Sequence, residues 1–272
     1  MAGIWDFLKG TTPGNRGANY AGVFHTSAGP GYNTPIALAA IDESGNVANL
    51  AHFAVLDYRL LKVTLLASAS GTWTPANGCR AIYVEVLAGG GQGGGGPTGT
   101  GSAMGGGGGA GGYSASWITG ISTTKPYTCG AGGSTTVAGN STGQAGADST
   151  WDTSVIVAKG GGGGLGCAIS TTIILGGLGG AGGVAASGTG DLKADGSAGG
   201  TGLVLSTAGA GISGYGAAGF FGGGAISKIT HGNGNNGGQY GSGGSGGATV
   251  NSAGATKGGN GGNGCIRVWE FS

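Results

Sequence analysis

The chain has 272 residues, of which 74 are glycine and only 8% are charged, with 11 basic residues against 10 acidic ones. A formal net charge of +1 leaves no basic footprint for nucleic acid, and a mean hydropathy of +0.13 is not that of a disordered chain, which combines low hydrophobicity with high net charge. Glycine without a strict Gly-X-Y period and with only 6 prolines is not collagen.

The opening "MAGIWDFLKG" reads as a short amphipathic segment whose apolar residues are Ile4, Trp5, Phe7 and Leu8. It lacks the basic n-region and apolar h-region of a secretory signal, so the expectation is a protein made in a cytoplasm. The uncharged stretch between Lys159 and Asp191 is mostly Gly, Ser, Thr and Ala, less apolar than a membrane span, and no membrane insertion is expected. "TPIALAAIDESGNVANL" reads as a strand, a turn at Glu43 to Asn46 and a second short element. In "NLAHFAVLDYRLLKVTLLAS", Leu50, Phe53, Leu56, Leu60 and Val63 recur at helical spacing, which predicts a helix passing into a strand.

Pro75 and Gly78 mark a turn, and after it Ile82, Val84 and Val86 alternate with Tyr83 and Glu85, the period-2 rhythm of a strand with one buried face. The final segment repeats it, Ile266 and Val268 against Arg267 and Trp269. These strands are expected to be neighbours, with Glu85 facing Arg267 as an exposed pair contributing under about 1 kcal/mol. Everything glycine-rich then becomes an excursion between two strands of one sheet.

Within that excursion, segments of Val, Ile, Thr and Tyr, "GGYSASWITGISTTKPYTCGAGG", "STWDTSVIVAKGGGGG", "CAISTTIILGG" and "LVLSTAG", interrupt the glycine and are read as strands, and tracts such as "GGLGGAGGV" and "GGNGGNG" keep a period of three. Three residues per turn is the left-handed polyproline II geometry, whose N–H and C=O groups point sideways. Glycine, having no Cβ, lets such chains approach closely enough to hydrogen-bond. The expectation is a bundle of polyglycine II helices, with Leu178, Ala181, Val184, Asn260 and Asn263 facing outward or capping it. The fold class is thus mainly β, a sheet or sandwich combined with that bundle, residues 71–272, preceded by a small N-terminal module, residues 1–70.

Four cysteines, Cys79, Cys129, Cys167 and Cys265, fit no metal spacing, and His25, His52 and His231 have no ligand-type partners nearby; the cysteines are expected to be small buried side chains. No nucleophile elbow and no βαβ unit around a glycine loop is visible, so no enzymatic activity and no cofactor are expected. Trp73, Trp117, Trp151 and Trp269 sit in or beside strands and are assigned to the core or to subunit contacts. Asp191, Lys193 and Asp195 read as a hairpin loop with too few carboxylates for calcium.

The segment 211–241 is different. Tyr215, Phe220, Phe221, His231, Asn233, Asn235, Asn236, Gln239 and Tyr240 interrupt the glycine with aromatics and amides, and aromatic faces with amide donors suit neutral sugars or outer-membrane loops. The bland alternative is that the phenylalanines pack on the bundle flank and the asparagines form a solvated turn.

Taken in order, "GTWTPANGCRAIYVEVLAGGGQGGGG", "GGGGGAGGYSASWITGISTTKPYTCGAGG", "SVIVAKGGGGG", "GDLKADGSAGG", "GFFGGG" and "GGNGGNGCIRVWEFS" resemble the glycine-rich domain at the C-terminus of many bacteriophage tail fibres and related virion proteins. The likeness covers roughly residues 70 to 272 and also extends to the polyglycine bundle of long-tail-fibre adhesins. It implies a virion protein, a homotrimer, that binds a bacterial surface glycan or outer-membrane protein through residues 211–241. Only about 70 residues precede the domain, too few for a shaft, so Ile4, Trp5, Phe7 and Leu8 would dock into another virion protein. The alternatives are a purely structural capsid, vertex or tail-tip component and, weakened by the missing signal, a bacterial surface or matrix protein.

Overall fold

A computed structural model describes residues 59–67, 69–206, 210–251 and 253–272 in full and the backbone of 20–24, 36–41 and 47–53. The chain divides into two units, Met1–Arg59 and Leu60–Ser272. In the first, β1 (Tyr20–Phe24), β2 (Ile36–Ile41) and β3 (Val47–Phe53) form an antiparallel meander, with Ile41 opposite Val47. Ile4, Trp5, Phe7 and Leu8 lie outside the described residues.

The second unit contains β4 (Leu60–Leu66), β5 (Ser70–Trp73), β6 (Ala81–Leu87), β7 (Ala103–Met104), β8 (Tyr113–Thr119), β9 (Lys125–Thr128), β10 (Ser149–Trp151) and β11 (Ile156–Ala158), then β12 (Ile174–Leu175), β13 (Leu192–Ala194), β14 (Leu203–Val204), β15 (Gly211–Ile212), β16 (Ala248–Thr249) and β17 (Cys265–Phe271). Among the described residues every strand pairing is antiparallel, and helical structure amounts to a 3-10 turn at Ala185–Ser187. None of the described helices is long and apolar enough to cross a membrane. The helix expected through Leu50, Phe53, Leu56, Leu60 and Val63 is not formed where the chain is described: Leu50 and Phe53 lie in β3, Leu60 and Val63 lie in β4, where the strand expected to follow it does form, and Leu56 lies outside the described residues. Pairing of β4 along β17, Leu65 opposite Arg267 and Val63 opposite Trp269, overrides the helical spacing.

Two sheets pack face to face. One runs β13-β8-β6-β17-β4 and the other β11-β10-β9-β5. Because side chains alternate along a strand, Ile82, Val84 and Val86 of β6 and Ile266 and Val268 of β17 share one face, and they pack on Trp73, Trp151 and Ile156. The two indoles meet with ring centroids 5.3 Å apart, and burial of each such Ile or Val contributes roughly 1.5–3 kcal/mol. As expected, β6 and β17 are adjacent, with Arg267 opposite Glu85. Asp191, Lys193 and Asp195 do not form a hairpin loop of their own; Leu192–Ala194 is an edge strand on β8, Lys193 opposite Ser114.

The glycine segments continue from the ends of these strands, and their backbone hydrogen bonds follow a three-residue register. Ala88, Gly91 and Gly94 donate to the carbonyls of Gly112, Gly109 and Gly106. Gly89, Gln92 and Gly95 donate to Ala147, Gln144 and Ser141, while Gly90, Gly93 and Gly96 donate to Gly262, Gly259 and Thr256. Segment 105–112 does the same: Gly105, Gly108 and Gly111 to Gly247, Gly244 and Gly241; Gly106, Gly109 and Gly112 to Leu165, Gly162 and Lys159; Gly107 and Ala110 to Gly200 and Ser197. Residues 88–96, 101–116 and 241–249 are buried throughout, so buried N–H groups along these tracts are paired with neighbouring segments rather than with water. Such close approach requires glycine: a Cβ on Gly94 or Gly107 would overlap the carbonyl oxygen of Leu165 or Tyr215.

Side chains appear where the period turns outward. Leu178, Ala181 and Val184 are exposed while Gly177, Gly180 and Gly183 are buried. Asn263 is exposed and Asn260 half-buried.

Candidate functional site

The outward face of the five-stranded sheet is not apolar. Period 2 places Tyr83, Glu85 and Leu87 of β6 on that face, with Arg267, Trp269 and Phe271 of β17 and Tyr113, Ala115 and Trp117 of β8 opposite or beside them. Glu85 is the hub. Its Oε2 accepts from Arg267 Nε at 2.5 Å and from Trp269 Nε1 at 2.7 Å; its Oε1 accepts from Arg267 Nη2 at 2.9 Å and from the Tyr113 hydroxyl at 2.9 Å.

The pair is therefore not the exposed one expected, for Glu85 is only 6% exposed. Phe221, from a segment more than a hundred residues away, stacks over the Arg267 guanidinium at 4.6 Å, and Trp269 lies at 5.0 Å from it. These rings exclude water from the carboxylate, which raises the strength of every hydrogen bond it accepts. Burial alone would raise the Glu85 carboxyl, but the hydrogen bonds from Arg267, Trp269 and Tyr113 outweigh it and hold the group below its usual range. The Tyr113 phenol is pushed up by burial and by its hydrogen bonds to Tyr83 and Glu85. Arg267 is raised by the hydrogen bond to Glu85, so both charges of the pair persist at neutral pH.

From this fixed centre, rings extend to the surface. Phe220 stacks on Tyr113 with centroids 4.3 Å apart and is 59% exposed. Trp117 is 42% exposed, its ring 4.9 Å from that of Phe271. Beside Phe220 opens a cavity of about 250 Å³ lined by Tyr113, Asp195, Ser197 and Ala218.

The residues singled out in 211–241 separate into groups. Phe220, Phe221 and Tyr240 come together at one end of the sheet, where Phe221 and Tyr240 pack against Leu87, Tyr113 and Cys265. Asn236, Gln239 and Tyr240 line an open groove of about 540 Å³ with Asn260 and Asn263, and Tyr240 holds a left-handed backbone, φ 57°. Tyr215, exposed, lies across Gly200 and lines neither cavity, and His231 is exposed away from both.

The asparagines of this stretch, Asn233 and Asn236 exposed and Asn235 half-buried, do not form a turn but bond neighbouring segments. Asn233 Oδ1 accepts the Lys257 N–H at 3.0 Å and Asn236 Oδ1 accepts the Asn260 N–H at 2.9 Å. Asn263 Oδ1 takes the Gly132 N–H in the same way at 2.9 Å, and Asn235 Nδ2 donates to the Ile226 carbonyl at 2.9 Å. Each amide supplies the acceptor or donor that a further backbone segment would have provided.

Of the tryptophans assigned to the core or to subunit contacts, Trp73 and Trp151 are core residues and Trp117 and Trp269 lie on the outward face. Their positions were readable: in "YSASWIT" and "CIRVWEF" they alternate with the core-facing residues. Cys129, Cys167 and Cys265 are buried and Cys79 half-buried. Burial pushes the Cys129 thiol up to about 11 and the Cys265 thiol up to about 12, so both are protonated and poorly nucleophilic at neutral pH. No cluster of three or more His, Cys, Asp or Glu able to hold a metal occurs among the described residues.

A comparison with curated proteins finds no match. The family model of the glycine-rich domain matches residues 64–269, from within β4 to within β17. The chain belongs to the glycine-rich domain family.

Proposed function

We propose that the three-residue hydrogen-bond register marks a bundle of polyglycine II helices, and that the domain is the attachment end of a bacteriophage virion protein, a tail-fibre tip or receptor-binding adhesin. In this reading the protein is not an enzyme and needs no cofactor. It is made in the host cytoplasm, assembles as a homotrimer, docks through residues 1–70 into another virion protein, and binds a glycan or outer-membrane protein on the host. The order of glycine and strand segments supports the virion assignment by resemblance.

The observation that carries the attachment reading is the set of exposed rings, Phe220 and Trp117, held on a face whose polar centre is locked by Glu85. Rings fixed before binding lose little conformational entropy when a ligand stacks on them. A glycine bundle suits the support because its interior is backbone, so loops and rings on its surface can vary without repacking a core. The test is adsorption competition: purified protein is added to candidate host cells before the parent particle. Saturable binding that blocks infection, and is weakened by Phe220→Ala, is the expected result. Absence of binding by folded wild-type protein overturns the reading.

A second reading, a purely structural virion component, is favoured by the asparagines. The Oδ1 atoms of Asn233 and Asn236 and the Nδ2 of Asn235 hold neighbouring segments of this chain.

A further inference from the structure

The interior of the glycine lattice is closed, so its perimeter determines what the domain can meet. Segments 174–184, 196–205, 211–217 and 225–229 are successive neighbours there. Gly202 and Gly199 donate to Gly177 and Gly180, Gly200 to the Tyr215 carbonyl, Gly216 to Ala225 and Ser213 to Lys228. In the sheet β12-β14-β15, Leu175, Leu203 and Ile212 are cross-strand partners and so share a face; Val204, on the opposite face, is fully buried. One period further along, Leu178 and Tyr215 stand outward, and Ile226 and Ile229 follow on the next segment.

This flank is apolar and open. Leu175, Leu178, Ile212, Tyr215, Ile226 and Ile229 are exposed by 41% at Ile212 to 77% at Ile226. The four segments carry a single charged residue, Lys228. At such exposures the six side chains present on the order of 700 Å² of surface, above the roughly 300–600 Å² of the largest apolar patch on an ordinary monomer. It approaches the ~800 Å² that each partner contributes to a stable protein interface.

We infer that this flank is the surface on which a second copy of the chain packs. Three features favour a copy over a different protein. The area approaches what one partner contributes to a standard-size interface. A chain with a formal net charge of +1 meets little electrostatic resistance to self-association. The outward residues recur every third position along antiparallel neighbouring segments, which spaces them about 9 Å apart at ~3.1 Å per residue, and a copy carrying the same spacing can interdigitate with them. Tyr215 belongs to this interface and not to the ring set around Glu85. The inference rests on the proposed self-association and adds the surface that carries it; it needs no host cell or receptor, so the attachment reading fails or stands separately.

The experiment is sedimentation equilibrium of the full chain from about 1 to about 50 μM, a range in which an oligomer's mass depends on concentration. The expected result is a mass that is a multiple of 25.4 kDa, with the double variant Leu178→Asp, Ile226→Asp associating at least about tenfold more weakly while its circular dichroism is unchanged. Hydrogen exchange of the wild-type chain on dilution guards against a misfolded variant: deprotection confined to residues 174–184 and 211–229 supports the proposal. A wild-type chain that stays at 25.4 kDa throughout, a folded variant that associates as the wild type does, or deprotection elsewhere with this flank unchanged overturns it.

Discussion

Arg267 stands directly opposite Glu85 in the register of β17 on β6 and closes on it with two hydrogen bonds, from Nε at 2.5 Å and Nη2 at 2.9 Å. The residues are 182 positions apart in the chain, so the pair joins the two strands between which the glycine lattice is strung. Phe221, which covers the pair, comes from that lattice.

Glu85→Gln keeps the shape of the side chain and removes its charge. The expected cost is about 1–3 kcal/mol, the range for a hydrogen-bonded charged group left without its partner, read as a lower denaturant midpoint with an unchanged slope. The pH dependence has a definite sign. The folded-state carboxyl lies below its unfolded value near 4.5, so its stabilisation is complete above that pH and is lost as pH falls through the folded value. Wild type and variant should therefore converge in stability on acidification; parallel acid unfolding curves would contradict the role assigned to Glu85.

Glycine in the lattice interior is a steric requirement. Gly94→Ala and Gly107→Ala each set a methyl against a backbone carbonyl that is itself held by neighbours. Loss of several kcal/mol, or failure to fold, is expected, at the upper end of single-substitution effects. Gly223 is the control, because a Cβ there meets nothing within 4 Å. Gly223→Ala should be neutral or stabilising by up to about 1 kcal/mol. Thermal melting of the three variants separates close approach from mere glycine content.

Asparagine at the lattice edge completes the hydrogen bonding of the adjacent segment. Asn263→Ala removes the acceptor of the Gly132 N–H, and Asn236→Ala that of the Asn260 N–H. Each should cost about 1 kcal/mol and raise the exchange rate of the orphaned amide. Amide exchange unchanged at Gly132 and Asn260 would show that water replaces the side chain without loss.

The cysteines should react in an order set by burial. Cys79, half-buried, is expected to be alkylated first, and Cys129, Cys167 and Cys265 only at rates limited by opening of the fold. Thiols pushed up to about 11 and about 12 at Cys129 and Cys265 add a chemical barrier to the steric one. Mass spectrometry of the alkylated protein with and without denaturant reads the order; equal labelling of all four in the native state would be the contrary result.

Some of this was determined by the sequence by itself. Alternation of Ile82, Val84 and Val86 with Tyr83 and Glu85, repeated from Ile266 to Trp269, sufficed to place two strands side by side, because a period of two admits one buried face. The three-residue spacing of Leu178, Ala181 and Val184 likewise foretold which positions look outward. Tertiary structure alone decided the rest. The helical spacing that begins at Leu50 and Phe53 is not realised there, for both lie in β3, whereas the strand expected to follow it forms as β4 on the ladder of β17. Glu85 reads as a surface charge until Phe221 arrives over Arg267 from the far end of the lattice. Asn233 and Asn236 have the chemistry of ligand-binding amides, and only the segment lying beside them turned that chemistry to holding the fold. Periodicity reports which way a side chain points; what waits there is set by other chain segments, 24 residues on at Asn233 and Asn236 and 182 at Glu85.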